Sequence, residues 1–164
     1  MKVLVIGSGG REHAIAYKLN QSSKVDKIYA IPGNPGIAKI GECIEGSVED
    51  NKMIVDFAKE NKIDLTVIGP EVPLCNGLAD DLEAAMAFGP TKHAATLEGS
   101  KAFSKDFMVR HNIPTAKYKE VNSYDEAIEA INDFDYPLVI KADGLAAGKG
   151  VVIVDNVDDA KTTL

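Results

Sequence analysis

The residues best placed to bind an anion form a glycine-rich turn near the start of the chain. Gly7, Gly9 and Gly10 follow a short apolar run at residues 2–6 and precede Arg11, in the order strand, turn, helix. Such a turn brings free backbone N–H groups and the positive end of a helix to one point, where a phosphate can bind. A tight turn that binds nothing has the same spacing, so both interpretations stay open at this point.

The same turn departs from the dinucleotide-binding pattern. That pattern needs a glycine at position 12 and an acidic residue at the end of the second strand. This chain has Glu12 and Pro32-Gly33 at those places, and both differences count against NAD. We give His13 no chemical role, because a single helical histidine is more often packed or solvated than catalytic.

A carboxylate stands in a second favourable position. Glu71 follows Gly69-Pro70 at the end of a predicted strand, residues 65–68. Parallel sheets bind ligands at the carboxyl edge of their strands, so Glu71 is placed to accept hydrogen bonds from ribose hydroxyls. A solvated loop glutamate is the alternative interpretation.

A second glycine-rich loop, residues 143–150, contains Lys149 and follows Lys141. It lacks the glycine at position 143 and the Ser or Thr at position 150 that a Walker A loop needs. It also joins two predicted strands, whereas a Walker loop joins a strand to a helix, so it is predicted to be a hairpin flap over phosphates. Lys141, and Lys105 on the preceding helix, would supply positive charge in the same space. A solvated surface charge is the alternative interpretation of each lysine.

The elements that must position these residues fall into two groups. Through about residue 100, strands alternate with helices, which predicts an α/β fold with a parallel, Rossmann-like sheet covered on both faces. Residues 101–164 have a different pattern and form a second domain. The predicted strands are residues 2–6, 27–31, 65–68, 115–121, 138–141 and 151–154, and the main predicted helices are residues 11–20, 50–61, 78–87, 101–111 and 123–133.

Composition excludes several classes of protein. With 164 residues, 45% apolar residues and a net charge of −7, the chain is typical of a globular protein that repels polyanions, so we expect no nucleic-acid partner. Cys43 and Cys75 have no metal-site or disulfide spacing. We see no signal or membrane segment and expect a cytoplasmic protein. A further predicted helix starts at residues 156–160 and is cut short at Leu164, so we expect the chain to be the front part of a longer protein.

Seven blocks of sequence follow one another along the chain. They are KVLVIGSGGREHA at 2–14, PGNPG at 32–36, IGPEVPL at 68–74, FGPT at 88–91, LEGSKAFSKDFM at 97–108, IPTAKY at 113–118 and VIKADGLAAGKGV at 139–151. In this order they make the chain resemble the glycinamide ribonucleotide synthetase family, the phosphoribosylamine–glycine ligases of the ATP-grasp superfamily. The stretch before Phe88 is shorter than in the family.

The resemblance implies a pre-ATP-grasp substrate domain at residues 1–100 and the opening part of an ATP-grasp α+β domain at 101–164. It implies ligation of glycine to 5-phosphoribosylamine in purine biosynthesis, driven by ATP through a glycyl phosphate. By similarity, the sugar phosphate would contact Gly9, Gly10, Arg11, Glu12 and Glu71. ATP would contact Lys105, Lys141, Gly144, Gly148, Lys149 and Gly150.

The resemblance also implies that the magnesium ligands lie beyond residue 164, so we expect this chain to be inactive alone. Asp143, Asp155, Asp158 and Asp159 are assigned to turns and helix caps, and no metal or catalytic residue is assigned here. The alternatives are another purine-pathway ATP-grasp ligase, carboxylase or formate-using transferase, a non-catalytic nucleotide-binding or interaction module, and an NAD oxidoreductase.

Overall fold

The computed structural model describes residues 1–82, 86–146 and 149–164, and the chain divides into two units, Met1–Thr96 and Leu97–Leu164. The strands are β1 (Lys2–Gly7), β2 (Lys27–Pro32), β3 (Glu42–Cys43), β4 (Leu65–Ile68), β5 (Ala87–Phe88), β6 (Leu138–Lys141) and β7 (Val151–Val154). The helices are α1 (Gly10–Asn20), α2 (Asn51–Glu60), α3 (Glu71–Cys75), α4 (Leu78–Asp81), α5 (Lys92–Gly99), α6 (Lys101–Arg110), α7 (Tyr124–Ala130) and α8 (Val157–Thr163).

The first unit is built on a parallel sheet with the strand order β3-β2-β1-β4-β5. The central strand β1 is apolar at every position from Val3 to Ile6, and all four side chains are fully buried. Leu4 and Ile6 pack with α2, α3 and α4, whereas Val3 and Val5 pack on the opposite face with Ala16 of α1. The predicted α/β sheet with both faces covered is confirmed.

The topology decides where a ligand can approach this sheet. Because the strands are parallel, β1, β2 and β4 all end at the same edge. The glycine turn after β1, the PGNPG segment after β2 and the Gly69-Pro70 turn after β4 therefore lie side by side. Sequence positions up to sixty residues apart meet there for this reason.

The second unit has an antiparallel hairpin, β6 and β7, in which Lys141 pairs with Val151. Its small core contains Ile131, Val154 and Ala160. Ser123 caps the start of α7. The Ser123 hydroxyl accepts from the Glu126 N–H, but the Glu126 carboxylate accepts from the N–H of Asn122 rather than that of Ser123.

Two predicted elements are wrong. The helix predicted at 78–87 ends at Asp81, because Leu82 is already extended and Ala87–Phe88 pairs with β4 as an edge strand. The strand predicted at 115–121 has no regular secondary structure. A strand needs a paired neighbour, and in the described part of the second unit β6 and β7 pair only with each other. Within the described ranges, no helix is both long and apolar enough to cross a bilayer.

Candidate functional site

The glycine turn after β1 is organised from inside by Glu12. This side chain is only 4% exposed, and its carboxylate accepts hydrogen bonds from the Gly9 N–H at 2.7 Å and from Arg11 Nε at 2.9 Å. Glu12 was expected to face the sugar phosphate, but the structure places its carboxylate in the base of the turn. A contact between Glu12 and a substrate remains a prediction.

Three glycines make room for the Glu12 side chain. A Cβ atom at Gly69 would lie 2.2 Å from Glu12 Oε1, and one at Gly7 or Gly9 would lie within 2.6 or 2.8 Å of the same side chain. Gly10, in contrast, borders open space. Helix geometry leaves the N–H groups of the first turn of α1 without intrahelical acceptors, so Gly10 is where a ligand can reach the backbone.

Glu71 lies beside Arg11 at the same edge of the sheet. Arg11 Nη1 donates to Glu71 Oε1 at 3.4 Å, while Nε of the same guanidinium donates to Glu12. The hydrogen bond from Arg11 to Glu12 is the main cause that raises the pKa of Arg11, and the charge of Glu71 adds to it. Arg11 thus holds two carboxylates together, and the half-exposed Glu71 is the one that a ligand can reach.

In the second unit, the two lysines predicted to bind phosphates line a cavity of about 450 Å³. Lys105 and Lys141 line it together with Lys101 and Lys119, two lysines that the sequence patterns did not indicate. The Lys105 ammonium donates to Thr115 Oγ1 at 2.7 Å and to the Ala116 carbonyl at 3.0 Å. Four lysines therefore line this cavity, together with the carboxylates of Glu98, Glu120 and Asp143. Lysine ammonium groups can neutralise phosphate charge, but that Lys105 and Lys141 contact ATP remains a prediction.

Asp143 fixes the start of the hairpin loop to the first turn of α6. Its carboxylate accepts from the Lys101 N–H at 2.6 Å and from the Ser100 hydroxyl, and Lys101 Nζ donates back to the Gly144 carbonyl at 2.5 Å. Burial raises the pKa of Asp143, but the backbone N–H groups of Ala102, Lys101 and Gly144 and the Ser100 hydroxyl lower it to below its usual value. The cap assigned to Asp143 therefore serves a helix more than forty residues away in sequence.

The other residues predicted to bind ATP lie in the loop between β6 and β7. Gly144 has φ of +86°, which favours glycine. The Ala142 N–H donates to the Gly150 carbonyl, and the Lys149 N–H donates to the Ala146 carbonyl. Lys149 is not among the described residues that line the cavity. Gly148 lies outside the described residues.

The position of Lys101 could have been predicted from Ser100, whose hydroxyl accepts from the Phe103 N–H and so marks the start of α6.

Two of the carboxylates considered as metal ligands have partners in the protein. That of Asp143 accepts from the first turn of α6, and that of Asp159 accepts from Nδ2 of Asn156 at the start of α8. Across residues 1–82, 86–146 and 149–164, no three His, Cys, Asp or Glu side chains come together as a metal site.

Comparison with known families covers both units. Residues 1–98 match the family described as phosphoribosylglycinamide synthetase, N domain, and residues 99–164 match the ATP-grasp (A) domain of the same synthetase. The chain belongs to the phosphoribosylglycinamide synthetase family. The resemblance stated from the seven sequence blocks is confirmed.

Curated relatives agree with this family. The chain is 51% identical over 166 residues to the phosphoribosylamine–glycine ligase of Caldanaerobacter subterraneus subsp. tengcongensis, with all of this chain and 40% of the relative covered. It is 55% identical over 155 residues to the ligase of Agrobacterium fabrum, with 93% of this chain and 37% of the relative covered. The chain thus spans about 40% of the length of the curated relatives it matches.

Solved structures show the same architecture. The crystal structure of phosphoribosylamine–glycine ligase from Thermotoga maritima has a TM-score of 0.82 and 34% identity, and the match covers 99% of this chain and 38% of that one. The biotin carboxylase domain of the Hydrogenobacter thermophilus 2-oxoglutarate carboxylase has a TM-score of 0.76 at 22% identity, over 97% of this chain and 38% of that one. The second likeness concerns the fold alone. The predicted fold class, a Rossmann-like domain followed by the opening part of an ATP-grasp domain, is confirmed.

Proposed function

We propose that this chain supplies the sugar-phosphate site and part of the ATP site of a phosphoribosylamine–glycine ligase of purine biosynthesis. The observation that carries the proposal is that its two halves match, in order, two domains of one synthetase family. The proposed reaction joins glycine to 5-phosphoribosylamine and converts ATP to ADP and phosphate, giving glycinamide ribonucleotide. The proposed domains are residues 1–100 and 101–164.

The chemistry needs ATP because a carboxylate is a poor electrophile at neutral pH. A glycine carboxylate oxygen attacks the γ-phosphorus of ATP, which forms glycyl phosphate and releases ADP. The amine of phosphoribosylamine then attacks the acyl carbon, the C–N bond forms, and inorganic phosphate leaves. The protein contributes positioning and charge neutralisation rather than a covalent intermediate of its own.

In the first unit, we assign the phosphoribosylamine to the edge formed by the ends of β1 and β4. The open backbone at Gly10 and the first turn of α1 suit an anion, and the reachable carboxylate of Glu71 suits ribose hydroxyls or an amine. Arg11 already pairs with two carboxylates, so its role is to hold Glu71 in place more than to neutralise a phosphate.

In the second unit, we assign ATP phosphates to the cavity lined by Lys101, Lys105, Lys119 and Lys141. We also propose that the glycine-rich loop at residues 144–150 contacts ATP. Magnesium would assist this phosphoryl transfer, and the residues described here do not supply a set of ligands for it. We place the enzyme in the cytoplasm, with small-molecule substrates and with neither nucleic acid nor a membrane as partner.

Titration calorimetry of the 164-residue chain tests both assignments. We expect ribose 5-phosphate and ATP to bind at independent places and NAD to bind at neither. The substitution Glu71→Gln is expected to weaken ribose 5-phosphate binding roughly tenfold or more, since a hydrogen bond to a charged group is lost, and to leave ATP binding unchanged. Glu45→Gln, which changes an exposed glutamate of the same unit, is the matched control.

Two results would contradict the proposal. Tight NAD binding without ribose 5-phosphate binding would favour an oxidoreductase. Ribose 5-phosphate binding that survives Glu71→Gln unchanged would move the sugar away from this edge. A separate turnover assay with glycine, phosphoribosylamine and ATP is expected to show no product from this chain alone, and measurable product would refute the assigned division of the active site.

A further inference from the structure

The glycine turn is also held from outside, by the segment that follows β2. Three consecutive carbonyls of the turn accept hydrogen bonds from this neighbour. The Gly7 carbonyl accepts from the Gly33 N–H at 3.2 Å, and the Ser8 and Gly9 carbonyls accept from Nδ2 of Asn34 at 2.9 and 3.4 Å. A single side-chain amide therefore contacts two of the three peptide groups that lead into α1.

Asn34 is itself locked in place by its other atom. Its Oδ1 accepts from the N–H groups of Gly36 and Ile37, both at 2.9 Å, and Ile37 is fully buried. Because carbonyls lie on one side of the amide and N–H groups on the other, the orientation of the amide is fixed by its partners. Asn34 thus connects the turn at residues 34–37, which is anchored by the buried Ile37, to the glycine turn beside it.

Because the peptide bond is planar, the contacts of Asn34 also set the directions of the Gly9 and Gly10 N–H groups. In a trans peptide, the carbonyl of one residue and the N–H of the next point in opposite directions. A Ser8 carbonyl held by Asn34 directs the Gly9 N–H toward Glu12, where it is found. A Gly9 carbonyl held by Asn34 and by the His13 N–H likewise directs the Gly10 N–H away from Asn34 and out of the N-terminal end of α1.

We propose that Asn34 is a positioning residue of the sugar-phosphate site, which fixes the direction of the Gly10 N–H without touching the substrate. The inference rests on the proposed function, because it names a determinant of the same site. It assigns to the PGNPG segment the task of pre-ordering the glycine turn. The two halves of its side chain make different contacts, so they can be tested separately.

The decisive variant is Asn34→Asp, which keeps an acceptor for Gly36 and Ile37 but removes the donor for Ser8 and Gly9. In amide hydrogen exchange of this chain, we expect the Gly9 N–H to exchange roughly tenfold faster while those of Gly36 and Ile37 keep their protection. Calorimetry should show that the affinity for ribose 5-phosphate falls about fivefold to tenfold, which corresponds to the loss of about one hydrogen bond. ATP binding should be unchanged.

Two further variants separate positioning from general damage. Asn34→Ala removes both halves of the side chain, so Gly36 and Ile37 should also lose protection. Asn61→Asp is the matched control, because Nδ2 of this half-buried asparagine also donates to a backbone carbonyl, that of Phe57, at 3.0 Å. It should lower the free energy of unfolding of the first unit without changing ribose 5-phosphate affinity.

The outcomes distinguish this inference from the proposed function. If the unchanged chain binds no ribose 5-phosphate, the proposed function of the first unit fails. If it binds but Asn34→Asp alters neither the affinity nor the exchange of Gly9, the inference alone is overturned. Weakening of ATP binding by the same variant, or an equal effect of Asn61→Asp on ribose 5-phosphate, would also overturn it.

Discussion

The contacts of Glu12 show how a single buried carboxylate shapes a backbone. It accepts from the Gly9 N–H and from Arg11, and it fills the space that side chains at three surrounding glycines would need. A buried carboxylate is tolerated only when it is paired and hydrogen-bonded, and here both conditions hold. The glycines are therefore required by packing against Glu12 as much as by backbone conformation.

A pair of alanine substitutions tests this packing. Gly69→Ala would place Cβ 2.2 Å from Glu12 Oε1, so it must displace the carboxylate or the strand end. We expect a loss of about 1–3 kcal/mol in the free energy of unfolding, measured by urea denaturation. Gly10→Ala meets no atom within 4 Å and should change stability by less than about 0.5 kcal/mol. Equal effects of the two substitutions would contradict the packing argument.

Lys141 offers a test of the ATP assignment in the longer enzyme of which this chain is proposed to be a part. Lys141→Ala removes one fixed cation from the cavity, and a charge-assisted contact of about 1.5–3 kcal/mol corresponds to a roughly tenfold to hundredfold effect. Steady-state kinetics should show a higher KM for ATP and little change in KM for glycine. Lys161→Ala, at an exposed lysine of α8, should change neither. An effect confined to phosphoribosylamine would assign Lys141 to the sugar phosphate instead.

Among the elements, α6 and the β6–β7 loop form a reciprocal clamp. Asp143 accepts from the first turn of the helix, and Lys101 from that turn donates to the Gly144 carbonyl of the loop. The carboxylate lies at the positive end of the α6 dipole, where negative charge is favoured. The start of the glycine-rich loop is thus anchored through backbone and side-chain contacts that its own glycines and alanines do not provide.

The lowered pKa of Asp143 predicts how this clamp responds to acid. Hydrogen bonds favour the charged form in the folded chain, so its contribution to stability is present above the ordinary aspartate pKa of about 3.9 and is lost as pH falls through the folded pKa. The difference in free energy of unfolding between the unchanged chain and Asp143→Asn should be constant from about pH 7 to pH 5 and shrink below about pH 4.

Urea titrations read from the amide resonances of β6 and β7 measure this difference in the second unit. Asp135→Asn, at an exposed aspartate of the same unit, is the control and should give a small difference that does not vary with pH. A difference for Asp143→Asn that stays constant down to pH 3 would show that the carboxylate is not stabilised by its charge.

At the scale of the whole molecule, the two units bury very different amounts of apolar surface. Val3, Leu4, Val5 and Ile6 of β1 are fully buried, whereas Val151, Val152 and Ile153 of β7 are 42–67% exposed. In the described part of the second unit, the core cluster has three buried residues with a few half-buried neighbours, and Ala127 and Ala130 are also buried. Because apolar burial stabilises folded structure, the free energy of local unfolding should be higher in the first unit than in the second.

Hydrogen exchange of the intact chain measures this inequality. Amides of β1 should exchange at least roughly a hundredfold more slowly than those of β7, because opening β7 exposes little additional apolar surface. Equal protection of the two strands would contradict the prediction and would mean that the chain unfolds as one cooperative body. The comparison needs no ligand, so it is independent of the proposed function.

The sequence by itself determined the features that depend on neighbouring residues. The order of strand, glycine turn and helix at residues 2–20, the Ser123 cap of α7 and the hairpin around residues 142–150 follow from apolar periodicity, glycine placement and short-range hydrogen bonding. The parallel sheet followed from the alternation of these elements. The family resemblance came from ordered blocks of sequence, which need no coordinates.

Tertiary structure alone decided the features that depend on distant partners. Ala87 is a strand residue because Thr66 pairs with it, and residues 115–121 are irregular where no neighbour pairs with them. Asp143 caps a helix at Lys101, and Asn34 holds the carbonyls of Ser8 and Gly9, contacts between positions 25 or more residues apart. The conformational preferences of neighbouring residues do not predict such pairs, because their hydrogen bonds exist only once the chain has folded.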